Sequence, residues 1–344
     1  MNKYTKIGAS ALAGSLVATS AFAGELSVGG TWEVTGEFVT NQKASSGVAN
    51  EAGNPFGSKA NLSFSGSGET DFGTASWFMF TKDAQDGVSS HSVTLDMGDL
   101  GLVGFDQGTG AFGMGTIDDK TPTAYEEIWT GTAQTNTNML GGSGGSAGVF
   151  GYKNTFMGMN VNVEYAPSLS GGDAADGGSA DTTSPDGTSI NFAITNNTLV
   201  EGLDFGIGYG ENDYDRASGD AVNIDEEGMV AYANYSFGPV TVGTTQSYTS
   251  GSTTSGTTIG ANEVAIYGIA FNVNENFSVS YTDYENKFLK RGSQGDVTQD
   301  TTGINAAYTM GGATLRVTDT QMDNIAGTTG KNEDRTEVSL LLAF

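Results

Sequence analysis

From Glu25 the chain reads ELSVGGTWEVTGEFV, with Leu26, Val28, Trp32, Val34 and Phe38 on one parity and Ser27, Thr31, Glu33, Thr35 and Glu37 on the other. In an extended strand this period of two gives one apolar and one polar face. The alternation returns up to the C-terminus, in NLSFSGSG, SVTLDMG, NVNVEYA, SINFAIT, LDFGIGYG, FSVSYTDY, ATLRVTD and TEVSLLLAF. It places strands at 25–39, 59–69, 73–82, 91–98, 101–107, 147–155, 158–167, 188–196, 202–211, 227–237, 238–249, 261–273, 276–287, 300–310, 312–322 and 333–344, sixteen in all. Tight turns (TDFG, GDLG, FMGM, TLVEG, FGPV, NVNEN, MGG) alternate with longer loops rich in Gly, Ser, Thr and Asp, such as SLSGGDAADGGSADTTSPDGT. An even strand count with alternating short and long connections predicts an all-β fold, a closed transmembrane antiparallel barrel. Closure leaves no unpaired edge in lipid, and the two rims differ in loop length.

The N-terminal stretch MNKYTKIGASALAGSLVATSAFA carries Lys3 and Lys6 before an apolar run from Ile7 to Val17 and ends in Ala21-Phe22-Ala23. These are the parts of a secretory signal peptide, residues 1–23, which leaves one barrel domain over 24–344. No stretch approaches 18 consecutive apolar residues, so no helix is expected to span a bilayer, whereas barrel strands escape such a count. With no cysteine, 52 glycines and 5 prolines, the fold must be held by backbone pairing and packing. Lys3 and Lys6 are two of 14 basic residues against 40 acidic ones, so the exported chain carries about −28 (12 minus 40). Such a charge disfavours nucleic acid as a partner and favours cations.

Trp32, Phe38, Tyr165, Tyr209, Phe237, Phe277, Tyr281 and Phe344 fall on the apolar parity near strand ends, where aromatic rings suit a membrane–water boundary. On the polar parity, Glu33, Glu37, Asp96, Glu164, Asp204 and Glu337 are candidates to line a lumen. One connection, about 108–146, is far longer than a hairpin loop. Thr121 before Pro122 reads as a helix N-cap with proline at the first helical position, so a short helix over Ala124–Ile128 is expected. Folded inside the barrel, this segment would narrow it and bring Asp118, Asp119, Glu126 and Glu127 to the constriction.

The amphipathic first strand after Ala23, the segment DDKTPTAYEEIW and the closing strand TEVSLLLAF with terminal Phe344 together resemble the general diffusion porins of Gram-negative bacteria, in particular the alphaproteobacterial type. The resemblance spans the whole exported chain. It implies a passive outer-membrane channel for small hydrophilic solutes and ions, surrounded by outer-membrane lipid and assembled as a homotrimer. It also implies that the barrel-assembly machinery reads the last strand and its Phe344, and that basic side chains face the inserted loop. Parity offers Lys59, Lys153, Arg316 and Arg335 for that wall. The acidic balance makes the expected preference cationic.

Other signals are weaker. Gly108-Thr-Gly110-Ala-Phe-Gly113 has dinucleotide-loop spacing but no β-α-β context, so no cofactor is expected. His91 beside Ser89 and Ser90 invites a hydrolase reading, but no G-x-S-x-G occurs and neighbours on a strand point to opposite faces, so no catalytic residue is assigned and His91 reads as a polar rim residue. One histidine without cysteine makes no usual zinc site. Asp173, Asp176, Asp181 and Asp186 offer oxygen ligands for weakly bound Ca²⁺, with a solvated external loop weighed ahead of it. The alternatives to a general channel are a substrate-specific outer-membrane channel, which needs a row of aromatic or paired binding groups along the lumen, and a surface adhesin or secreted β-sandwich.

Overall fold

The structure is a computed structural model that describes residues 26–43, 54–82, 88–129, 148–169, 187–214, 225–250, 259–290 and 295–344. The N-terminal segment 1–23, residues 130–147 of the long connection and the aspartates at 173, 176, 181 and 186 lie outside them. Sixteen strands follow in chain order: β1 (Ser27–Lys43), β2 (Phe56–Thr70), β3 (Gly73–Lys82), β4 (Val88–Asp96), β5 (Leu102–Gln107), β6 (Val149–Phe156), β7 (Met159–Ala166), β8 (Gly187–Asn196), β9 (Leu203–Tyr214), β10 (Glu226–Phe237), β11 (Val240–Ser250), β12 (Ile259–Asn274), β13 (Phe277–Lys290), β14 (Val297–Met310), β15 (Ala313–Asp323) and β16 (Asn332–Ala343). Each pairs with its sequence neighbours and β16 pairs with β1, which closes one antiparallel barrel. A single closed sheet corrects the β-sandwich alternative, since a sandwich requires two sheets with free edges.

The alternation explains the two faces. Val28, Trp32, Ile190, Ile207, Ile269, Ile304, Val338 and Leu340 are exposed on the outer face despite their size. In water so broad an apolar surface would drive aggregation, whereas in a bilayer it is the solvated face. Exposed aromatic rings collect toward both rims. Phe237, Phe271 and Tyr308 lie near the short turns, and Phe38, Phe56, Tyr165 and Tyr248 lie toward the long connections. The two-residue turns at 238–239 and 311–312 begin with Gly238 and Gly311 at φ of 58° and 60°, a left-handed backbone that favours glycine.

Closure occurs at the short-turn rim. The Phe344 N–H donates to the Gly30 carbonyl at 2.9 Å, and the Gly30 N–H donates back to the Phe344 carbonyl at 3.2 Å. The register then runs from Thr31↔Ala343 to Glu37↔Glu337 without a break.

The buried apolar side chains are gathered inside the barrel around the connection from β5 to β6. Phe112, Met114, Ile117 and Ile128 from that connection are buried. Met114 and Ile117 pack with inward-facing Ala193, Val230 and Tyr232, and Trp129 packs against Val264, Ile266 and Tyr284. Burying each such large side chain is worth about 1.5–3 kcal/mol, so the connection is held by the wall it crosses.

Candidate functional site

The described part of the connection, 108–129, is seated on the inner wall by matched gaps and hydrogen bonds. A Cβ at Gly151 would lie 1.9 Å from the Phe112 ring, one at Gly268 would lie 2.6 Å from Thr121, and one at Gly303 would lie 2.9 Å from Ile128. Only glycine leaves room for the loop at these mid-strand positions. At its start, Asp106 accepts hydrogen bonds from the Thr109 hydroxyl and from the Thr109 and Ala111 N–H groups, the last two both at 3.1 Å. Further on, the Met114 N–H donates to Asn191 Oδ1 at 2.7 Å, and Asn234 donates to the Lys120 carbonyl at 2.6 Å.

The expected helix over Ala124–Ile128 is absent. The regular turn of this segment is a short 3₁₀ helix upstream, Gly113–Ile117. The Thr121 hydroxyl lies 2.9 Å from that of Thr245 and caps nothing. The Ala124 N–H goes to Ser280 Oγ at 2.8 Å, and the Glu126 carbonyl accepts from Thr123 Oγ1 at 2.6 Å and from Asn305 at 2.5 Å. Wall side chains thus satisfy the backbone groups that a helix would have paired internally. The orientation of Glu126 and Glu127 is accordingly set by these bonds rather than by a helical step.

The four loop carboxylates form two groups. Asp119 adopts φ 52° and donates its N–H to Asp118 Oδ1 at 3.1 Å, which sets the two side chains together. Glu127 joins them through a side-chain contact with Asp119. Asp118 and Asp119 are exposed to the interior yet ringed by protein, and limited hydration and mutual repulsion push both up to about 6. Glu127 is raised for the same reasons. Glu126 stands apart, raised by desolvation and by Glu337, and opposed by Lys59 and Arg316.

Opposite Glu126 lies a charged cluster on β15, β16, β1 and β2. Lys59 Nζ stands 2.9 Å from Glu33, and Arg316 stands 3.3 Å from the same carboxylate. Arg335 bridges Glu37 at 3.1 Å and Glu337 at 2.7 Å. Three bases therefore face three acids, and this wall sums to zero. Tyr125 links loop and wall, its ring 5.0 Å from the Arg316 guanidinium and its hydroxyl bonded to Thr318. Desolvation raises the Tyr125 hydroxyl to about 12, so it remains a neutral hydrogen-bonding group.

The remaining candidates sit elsewhere. Lys153 lies 5.1 Å over the Phe112 ring, away from the other three bases. Glu164 accepts from Asn191 at 3.1 Å, and Asp204 accepts from the Tyr232 hydroxyl at 2.9 Å. Asp96 accepts the Gly98 N–H at 2.9 Å at the short-turn rim. His91 is exposed and paired with Met79 and Gln107, on the parity of outward Val93, while Ser90 faces inward. Among the described residues no three His, Cys, Asp or Glu side chains are grouped to hold a metal ion. Sequence reasoning missed Asp106, Tyr125, Asn191 and Asn305. It also missed the inward glycines, although glycine inside a strand is itself a signal of close backbone approach. It further missed Phe78 and Phe80, in the run Trp77-Phe-Met-Phe80 where both parities are apolar.

Comparison with known proteins fits this geometry. A family model described as Gram-negative porin matches residues 8–342. Salmonella typhi OmpF in complex with daunomycin is similar in structure, with a TM-score of 0.66 at 13% identity, covering 93% of this chain and 98% of that one. OmpT of Vibrio cholerae gives 0.65 at 11% identity over 93% and 98% of the two chains. A substituted Rh. blastica porin gives 0.57 at 15% identity over 93% and 100%. No curated protein matches the sequence.

Proposed function

Since the chain belongs to the Gram-negative porin family and folds as a closed sixteen-stranded barrel, an outer-membrane channel rather than an enzyme, we propose that it is a passive, cation-preferring diffusion pore that works as a homotrimer. The cation preference rests on one observation. Lys59, Arg316 and Arg335 are each matched by a wall glutamate, whereas 108–129 carries four carboxylates against the single Lys120. The uncompensated charge at the proposed constriction is therefore negative, by three units over this segment. Between low-dielectric walls such a fixed charge raises the local concentration of cations and depletes anions.

The proposed mechanism involves no bond making. Solutes move down their gradients through a polar lumen, the inserted loop limits their size, and its carboxylates set the charge preference. The trimer follows from the family resemblance. The test is a planar-bilayer recording of purified protein under a salt gradient. A reversal potential of the sign for cations is expected, and anion selectivity would overturn the reading.

A further inference from the structure

Strand β3 departs from the rule that only its outer parity is apolar. Trp77 is exposed outside, yet Phe78 and Phe80 lie on the opposite parity, directly paired with inward-facing residues. Phe78 stands opposite Ser65 on β2 and Ser92 on β4, and Phe80 stands opposite Ser63 and Ser90. Cross-strand partners of this kind lie about 5 Å apart on one face. The inner wall therefore carries two successive rungs of serine, phenylalanine, serine. The rings are 6.4 Å apart and within 12° of parallel, and Lys82 Nζ lies 5.9 Å from the Phe80 centroid at the long-loop end of the row.

Neither phenylalanine belongs to the apolar clusters that seat the loop, and both are only half-buried. Beside Phe78 the wall opens into a recess of about 380 Å³ lined by Ser27, Ser65, Ser67, Ser76, Ser92 and Thr94. Along β2 the row begins four residues beyond Lys59, about 13 Å past the charged cluster toward the short-turn rim. Half-exposed phenyl rings in a watery lumen cost solvation unless something apolar covers them in passing.

We propose that this face is a binding track for pyranose sugars, where each ring's apolar face lies on Phe78 or Phe80 and its edge hydroxyls meet the flanking serines. The chemistry selects this class. An aromatic solute would use the rings but leave the serines unmatched, and a linear polyol would meet the serines but cover no ring. The net negative charge of the exported chain excludes an acidic sugar as the preferred ligand. The inference rests on the channel reading and adds a saturable site to it.

The test uses the full chain in a planar bilayer with maltotriose as probe, and sorbitol and tryptophan as controls. Maltotriose is expected to reduce ion current saturably, and sorbitol and tryptophan are not. In the Phe78→Ala/Phe80→Ala variant the half-blocking concentration should rise about tenfold with ion conductance retained, and Phe80→Trp should preserve the block. If the double variant does not insert, Ser65→Ala/Ser92→Ala should still weaken the block severalfold. Normal conductance without sugar saturation, an unchanged block in both variants, or saturation by tryptophan alone would overturn the track and leave the channel standing. A chain with no conductance at all would overturn both.

Discussion

Glu33 on β1 and Lys59 on β2 are directly paired across the strands, carboxylate to ammonium 2.9 Å, and the pair holds one of the wall's three cations neutral. Arg316 leans on the same carboxylate at 3.3 Å, so Glu33 offsets two bases at once.

Removing that charge should unmask them. Glu33→Gln is expected to shift the reversal potential toward anions, because a unit charge about 8 Å from an ion in water changes its energy by about 0.5 kcal/mol, roughly twofold in local concentration. Measurement at 0.1 M salt shows the effect best, since the Debye length falls from about 10 Å there to about 3 Å at 1 M. An unchanged potential in a folded variant would place Glu33 outside the ion path.

The loop carboxylates carry the larger effect. Replacing Asp118, Asp119, Glu126 and Glu127 with Asn or Gln should remove most of the cation preference while the channel still assembles. The same neutralisation of Asp173, Asp176, Asp181 and Asp186 should do much less. Equal shifts from the two sets in the same bilayer experiment would move the constriction away from the loop.

Acidity should act through the same groups. Asp118 and Asp119 titrate near pH 6, raised from the ordinary carboxyl range, so they are charged at pH 7.5 and gain protons as pH falls through about 6. Protonation removes negative charge, so cation selectivity should fall between about pH 7 and pH 5, well above the ordinary carboxyl range near 4. Asp118→Asn/Asp119→Asn should flatten that part of the profile. A wild-type profile level down to pH 5 would contradict the grouping of these carboxyls.

Seating of the loop depends on glycine. At Gly151 a methyl group would fall 1.9 Å from the Phe112 ring, so Gly151→Ala should displace the start of the loop, widen the pore and raise single-channel conductance with the barrel intact. Loss of the Phe112 contacts should also lower thermal stability by a few kcal/mol. Unaltered conductance and melting would show that the ring has another place to go.

Barrel closure supplies the last prediction. Deleting Phe344 removes both hydrogen bonds to Gly30 and an exposed outer aromatic at the short-turn rim. Folded, heat-modifiable protein in the membrane should drop sharply, and normal levels would separate assembly from this residue.

The strands were legible because their signal is local: a period of two needs only the neighbours of each residue, and it yields sixteen strands and the faces of Glu33, Lys59, Arg316 and Arg335. Some boundaries moved, with β1 running to Lys43 rather than 39 and β4 beginning at Val88 rather than 91, since pairing with a neighbour extends a strand beyond its own pattern. The helix expected after Thr121 failed for a related reason. Thr245, Ser280 and Asn305, between 124 and 182 residues away in sequence from their loop partners, take the bonds that a local helix would have made. The matching of each wall base by a glutamate, the split of the four loop carboxylates into a trio and a lone Glu126, and the serine-flanked phenylalanines likewise depend on strand register. Sequence therefore determined which residues alternate and how many strands result. Only the closed barrel decided which charges meet, because cross-strand contacts join residues that no local period relates.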